Sequence, residues 1–335
     1  MRGAWALRLA APVVALALAL VAGGAAGGST GDRSQAPTLR VGLFGTLDEG
    51  KIGDQLAFDT LRRKTGITAQ YSTFVSPQAV VVAVTRGDVD IGISGLHSTV
   101  QAIAQGAPLR ALAVVKQTNE WVFVSNTPTV AELRGKKVGY QTPGTETHAF
   151  AKVLLARVGV RDAELIAVPG SPNRAAALVG GVLDAAWLNY VDFIRVVREK
   201  PALRALASAR SLVPFSALQV IVVSESYLES HRALLTKVLP KLLLGYELLY
   251  EPAGRVRWLA RARATVFTAT PADATRVYEN YRRIHLWPRV KSPVTRAQWE
   301  SRVLFWLAGG IVESVPSFER VWDLSFWRAA ARASR

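Results

Sequence analysis

The chain contains no cysteine and only one methionine. Without cysteine there is no disulfide, no thiolate metal site and no cysteine nucleophile. A bacterial lipoprotein signal needs a cysteine at its cleavage point, so that form of lipid anchoring is excluded too. Histidine is almost as scarce. His97, His148, His231 and His285 lie far apart, with no pair at metal-ligand spacing. There is no Gly-x-Ser-x-Gly elbow and no nucleotide-binding glycine loop. These gaps leave no catalytic set and call for no metal or cofactor, which argues against an enzyme. Beyond the first residues, no stretch is apolar and long enough to span a bilayer, which takes roughly 20 residues.

The exception opens the chain. Arg2 and Arg8 are followed by an apolar run over residues 9–22 and then by small residues over 23–28. A basic start, a short apolar core and a small-residue exit form a secretory signal peptide. The expected division is a cleaved signal peptide over 1–27 and a flexible lead-in over 28–37. The alternative is an uncleaved anchor, which would make the protein a membrane-tethered sensor. A freely soluble exported protein is useful only where something retains it, which points to a periplasm.

The formal net charge is +16. Such a charge suits nucleic acid, an anionic membrane surface or an anionic ligand. The basic residues are dispersed, the longest run being Arg62-Arg63-Lys64, and no aromatic-basic stripe accompanies them. Dispersed charge is a solvated surface, and no nucleic-acid partner is expected.

Half of the residues are hydrophobic, enough for one large core or two medium ones, and an internal repeat decides for two. Ser76-Pro77 precedes an apolar stretch and then Gly87-Asp88-Val89-Asp90-Ile91-Gly92. Ser171-Pro172 precedes a similar stretch and then Gly181-Val182-Leu183-Asp184-Ala185-Ala186. In each, serine can cap a helix, proline fits its first turn and glycine ends it before a short strand. Upstream, Arg40-Val41-Gly42-Leu43 and Lys137-Val138-Gly139-Tyr140 start matching strands. Each leads through a Gly/Thr loop into a helix that stops at Gly66 or Gly159. Each unit therefore reads strand, helix, strand, helix, strand, the pattern of a parallel sheet covered by helices. Ligands of such sheets bind outside the carboxyl ends of the strands.

Residues 217–224 read as a strand that crosses back, followed by a helix from Ser226 that Pro240 should kink or break. Thr270-Pro271 opens another helix, and residues 297–307 form one stopped by Gly309-Gly310. This C-terminal layer is expected to pack on the first lobe. The tryptophans concentrated beyond Arg255 are expected to pack it.

Several segments, taken in order, resemble a known family: G-D-V-D-I-G-I-S-G from Gly87 to Gly95, Q-A-I-A-Q-G-A-P from Gln101 to Pro108, L-R-G-K-K-V-G-Y from Leu133 to Tyr140, and P-G-T-E-T-H from Pro143 to His148. They resemble the nitrate/sulfonate/taurine group of ABC-transporter substrate-binding proteins, which also includes receptors and enzymes for thiamine precursors. The resemblance implies an α/β type II periplasmic-binding-protein fold, two lobes joined by a two-strand hinge at about residues 121–125 and 217–224. Lobe 1 would comprise 38–120 and 225–335, and lobe 2 would comprise 121–224 with the hinge strands. It further implies a monomer that closes on a small molecule and delivers it to an ABC permease and its ATPase in the inner membrane. The ligand would be a sulfonate, taurine, nitrate, a carboxylate or a pyrimidine. A thiamine-pyrimidine-synthase-like enzyme is the alternative on this fold, but such enzymes carry a cysteine-rich segment that is missing here.

Candidate ligand-binding residues follow from the strand ends. In the loop before the second-lobe helix, Gly144, Thr145 and Thr147 combine free helix N–H groups with hydroxyls, a setting for an anion. Glu146 would oppose an anion there, so it is expected to point away unless the ligand is not a simple anion. Gly45 and Thr46 are the first-lobe counterparts. Ser94, Gly95 and His97 end another first-lobe strand. Asn189 and Tyr190 end a second-lobe strand, with Trp187 and Tyr190 available as an aromatic wall and Asp192 as a partner for an amine or a helix cap. Trp121, at the hinge, would floor the cleft.

Overall fold

A computed structural model describes residues 37–45, 49–213, 218–265, 270–312 and 314–333. The expected signal peptide and all of the lead-in except Pro37 lie outside the described residues, as do Thr46 and Ala217. Among the described residues, no helix is long and apolar enough to cross a membrane.

The repeat folds as two copies of one plan. The first is β1 (Thr38–Phe44), α1 (Ile52–Thr65), β2 (Thr68–Phe74), α2 (Pro77–Arg86) and β3 (Ile91–Gly95), followed by α3 (Leu96–Ala104) and β4 (Leu109–Lys116). The chain then passes to β5 (Val122–Ser125) and the second copy: β6 (Lys137–Tyr140), α4 (Glu146–Arg157), β7 (Glu164–Ala167), α5 (Ser171–Val179) and β8 (Ala185–Leu188). After α6 (Tyr190–Glu199), β9 (Arg204–Ser208) and α7 (Ala209–Leu212), it returns as β10 (Gln219–Ser224). The sheets have orders β2-β1-β3-β10-β4 and β7-β6-β8-β5-β9. In each, the three strands of the repeat are parallel, and the fourth strand, antiparallel to both neighbours, comes from the other side of a crossing.

This arrangement moves one expected boundary. The sequence places residues 219–224 with the second lobe, but β10 is hydrogen bonded between β3 and β4 in the first sheet. The return crossing therefore precedes Gln219.

The local signals act largely as their chemistry requires. Ser76 Oγ accepts from Ala79 N–H at 3.2 Å, Pro77 occupies the first turn, and Gly66 and Gly87 end their helices in the left-handed region. The second Ser-Pro differs. Gly170, at φ 85°, caps α5, while Ser171 lies within the helix and its Oγ accepts from Asn189 N–H at 3.0 Å.

The C-terminal layer is α8 (Glu225–Ser230), α9 (Arg232–Glu247), α10 (Pro252–Ala264), α11 (Pro271–Arg283), α12 (Arg296–Gly309), α13 (Phe318–Val321) and α14 (Ser325–Ala333). Pro240 does not break α9, which runs through it. The lost backbone bond is offset by burial of Leu235, Val238, Leu239, Leu242 and Leu243, because packing of the apolar face dominates helix stability. α9 lies along α1, where Tyr246 donates to Asp54 Oδ1 at 2.7 Å. Most of the layer covers the first lobe as expected, but part of it reaches the second. α12 packs on α4, and Arg198 of α6 pairs with Asp273 of α11. One continuous apolar core consequently runs from the first sheet through this layer to Phe123, Phe150 and Trp187 of the second lobe.

Candidate ligand-binding site

The carboxyl ends of β1, β3, β6 and β8 meet across the gap between the sheets. A cavity of ≈ 360 Å³ lies there, within the size range of small-molecule sites. The amino-terminal ends of α2 and α3 line it from the first lobe, and those of α4 and α5 from the second. Each helix end carries roughly half a positive charge together with N–H groups that have no acceptor inside the helix.

Gly45, Gly95, His97 and Trp121 line this cavity, as do Thr145, Thr147 and Asn189 from the second lobe. Thr46 lies outside the described residues. Three candidates do not line it. Ser94 is fully buried and its hydroxyl donates to the Pro77 carbonyl at 2.8 Å; alternation along the strand turns Gly95, not Ser94, toward the cleft. Gly144, at φ 73°, backs onto the Gln101 side chain of α3. Tyr190 packs on Phe193 in the second lobe. Trp187 is no ligand wall either, being completely buried between Phe123 and Phe150. Asp192 is buried and paired with Arg195 at 2.5 Å, and the cap of α6 is Asn189, whose Oδ1 accepts from Asp192 N–H at 2.8 Å.

The two threonines are not equivalent. The Thr145 hydroxyl donates to the Thr142 carbonyl at 2.7 Å, which commits its proton. Thr147 Oγ1 accepts from Gln141 N–H at 2.9 Å and lies 3.4 Å from Thr145 Oγ1, a long contact in which Thr147 is the donor and which a better acceptor in the cavity can replace.

Glu146 is buried in the cavity wall. Its carboxylate pairs with the guanidinium of Arg302 on α12 and accepts from Trp306 Nε1 at 2.8 Å. His97 Nδ1 faces it from the first lobe at 3.7 Å, while Nε2 meets the Ser98 hydroxyl at 2.9 Å. Burial drives the His97 pKa down to about 4, with Glu146 opposing and Arg302 reinforcing, so the ring is neutral at physiological pH. A second buried pair, Lys116–Glu120 at 2.9 Å, lies at the crossing. Lys51 brings a further ammonium to the wall, 4.3 Å over the Phe44 ring.

Arg174 holds the second-lobe wall together from behind. Fully buried, it donates to the Trp187 carbonyl at 2.7 Å and to Gln141 Oε1 and the Val168 carbonyl at 2.8 Å each. Burial lowers its pKa to about 10, which leaves it charged. Sequence reasoning missed Lys51, Lys116, Glu120, Arg174 and Arg302. Only the Lys116/Glu120 spacing offered a local hint, since Arg302 meets Glu146 across 156 residues.

Two α/β lobes enclosing a cavity at their strand ends make up the type II periplasmic-binding-protein fold. The chain belongs to the NMT1/THI5-like family, whose sequence profile matches residues 63–253. No curated protein matches the chain in sequence. Among solved structures, it is similar to the periplasmic aliphatic sulphonate binding protein SsuA of Escherichia coli, with 22% identity, TM-score 0.67, and coverage of 86% of this chain and 92% of that one. The alkanesulfonate-binding protein SsuA of Xanthomonas axonopodis pv. citri, bound to MOPS, gives 22% identity, TM-score 0.68, and coverage of 86% and 99%. The periplasmic nitrate-binding protein NrtA of Synechocystis PCC 6803 gives 12% identity, TM-score 0.68, and 89% coverage of both chains.

Proposed function

We propose that this protein is an extracytoplasmic receptor of an ABC importer that captures a small polar organic ligand, with an anionic group favoured, by closure of its two lobes. The observation that carries this reading is the cavity between the lobes. Helix amino-terminal ends converge on it, while Glu146 and Glu120, the acids in its wall, are matched by Arg302 and Lys116. The neighbours described as sulfonate- and nitrate-binding support the same ligand class. A micromolar receptor requires only about −8 kcal/mol, within reach of a few hydrogen bonds and one aromatic contact. The protein binds and releases its ligand unchanged, acting as a periplasmic monomer freed from its signal peptide, and hands the ligand to a permease and ATPase in the inner membrane.

The test is thermal unfolding of the exported protein with sulfonates, taurine, nitrate, carboxylates and pyrimidines. A ligand at about 100 times its Kd adds about 2.7 kcal/mol of stability and raises the Tm. The expected result is a shift with an anionic member of the panel and a more compact particle in small-angle scattering. Failure of every compound to shift the melt refutes the reading. Amino-terminal sequencing tests export, since an intact Met1 in a membrane fraction refutes the soluble receptor.

A further inference from the structure

Glu146 occupies the worst place for an acid in an anion receptor. It is the first residue of α4, and it walls the cavity. An uncompensated carboxylate there would repel an anion and neutralise the positive end of α4 that an anion would otherwise use. The compensation comes from outside the cavity. Arg302 is completely buried, does not line the cavity, and stacks over Trp306 with its centre 5.1 Å from the ring. Among the described residues, Glu146 is the one carboxylate paired with it, and Arg302 Nε and Nη1 have no hydrogen-bond partner. Glu146 and Arg302 are thus each other's charge balance. His97 does not share the task, being neutral.

α12 is held in register by shape as well as charge. A Cβ on Gly309 would come within 2.6 Å of the Ala149 Cβ on α4, so only glycine allows this approach. Phe305 packs on Phe150 one helical turn away, with ring centroids 5.2 Å apart.

We propose that Arg302 is a positioning residue that sets the charge specificity of the ligand site. From α12 it draws the Glu146 carboxylate onto itself and cancels its charge, leaving the first-turn N–H groups of α4 and the Thr147 hydroxyl able to hold an anionic group. This rests on the receptor reading and deepens it. The preference for an anion over a neutral analogue depends on a residue that never touches the ligand.

The experiment compares affinities by calorimetry for two matched pairs, ethanesulfonate against ethanesulfonamide and benzoate against benzamide. The proteins are the unaltered chain, Arg302→Gln, Glu146→Gln and the double variant. In Arg302→Gln the uncompensated carboxylate is expected to lower the anion-to-neutral affinity ratio by about tenfold or more. In Glu146→Gln the uncompensated guanidinium raises that ratio by about threefold or more, and the double variant returns it toward the original. A purely structural role for Arg302 predicts instead that both members of a pair weaken together and that the second substitution restores nothing. If Arg302→Gln does not fold, Glu146→Gln and the double variant decide. An unchanged ratio in both overturns the inference while the receptor reading stands. Failure of both anions to bind the unaltered chain overturns the reading for sulfonates and carboxylates, and the inference with it.

Discussion

Protonation of His97 should cost the fold measurable stability. The ring is buried at the junction of the lobes, its Nδ1 lacks a hydrogen-bond partner, and its pKa falls from 6.5 to about 4. The unfolded chain takes up the proton as the pH drops below about 6.5, whereas the folded chain does so only near 4. The unfolded state therefore binds more protons in that window. The His97 contribution to stability is intact above about 6.5, declines as the pH falls, and is lost once the pH passes below about 4. A full shift of this size is worth about 3 kcal/mol, of which about 2 kcal/mol is lost between about pH 7 and about pH 5. Urea unfolding of the unaltered protein and of His97→Gln at those two values isolates the term, since other titrating groups are common to both. The unaltered protein should lose about 2 kcal/mol more than the variant on acidification. Equal losses refute the assignment of a buried neutral imidazole.

Gly245→Ala should destabilise the first lobe by about 1–3 kcal/mol, because its Cβ would lie 2.6 Å from Ala57 Cα and 2.8 Å from the Ala57 carbonyl oxygen. Backbone cannot rotate aside, so the urea midpoint falls as α1 and α9 separate. Arg174→Met removes the donor to Trp187, Val168 and Gln141 together. Gln141 Oε1 keeps Gly170 N–H at 2.9 Å, so at about 1–3 kcal/mol for each of the two carbonyls that lose this donor the loss should be about 2 kcal/mol or more, and ligand affinity should fall with it, both measurable in one thermal titration.

What could be read from the sequence was what is encoded locally. Ser76-Pro77 and Gly87 cap and stop a helix within their own segment, so the repeat and its parallel strands were visible. Pairing across the chain was not. β10 has the composition of any buried strand, and only its hydrogen bonds to β3 and β4 assign it to the first sheet. Site prediction divided the same way. The strand ends of the repeat located Gly95, His97, Thr145 and Asn189, all in the cavity wall. One step along the backbone was enough to misplace Ser94, because neighbouring strand residues face opposite ways, and Tyr190, because it already belongs to α6 and packs on Phe193. The partner of Glu146 was hidden for a longer-range reason. Its own segment gives it nothing to pair with, so turning away was the inexpensive solution. Arg302 provides another, across 156 residues.

That pair also constrains how the lobes can move. If α12 stayed with the first lobe as the cleft opened, Arg302 would leave Glu146. Breaking a buried pair in this way costs about 3–5 kcal/mol. A ligand at about 100 times its Kd supplies about 2.7 kcal/mol, too little to drive such a change in either direction. The contacts between α12 and the first-lobe side are weaker: edge-to-face packing of Trp299 on Phe318 and Trp322, at 6.3 Å each, an exposed ion pair of Arg296 with Glu319 in which Arg296 also covers the Phe318 ring, and one bond from Gln101 to the Ile311 carbonyl just past the helix. α12 should therefore travel with α4, and the chain should bend at residues 291–295 and at Gly310, which already sits at φ 61°. The absence of native cysteine makes the measurement clean. Spin labels at Val158→Cys and Leu304→Cys, both exposed, report the α4–α12 distance, and labels at Lys241→Cys and Leu304→Cys report α12 against the first lobe. Adding the ligand found by thermal unfolding should change the second distance and leave the first unaltered. A change in the first distance with the second constant would place α12 in the first lobe, and the Glu146–Arg302 pair would then be a contact made and broken in every cycle.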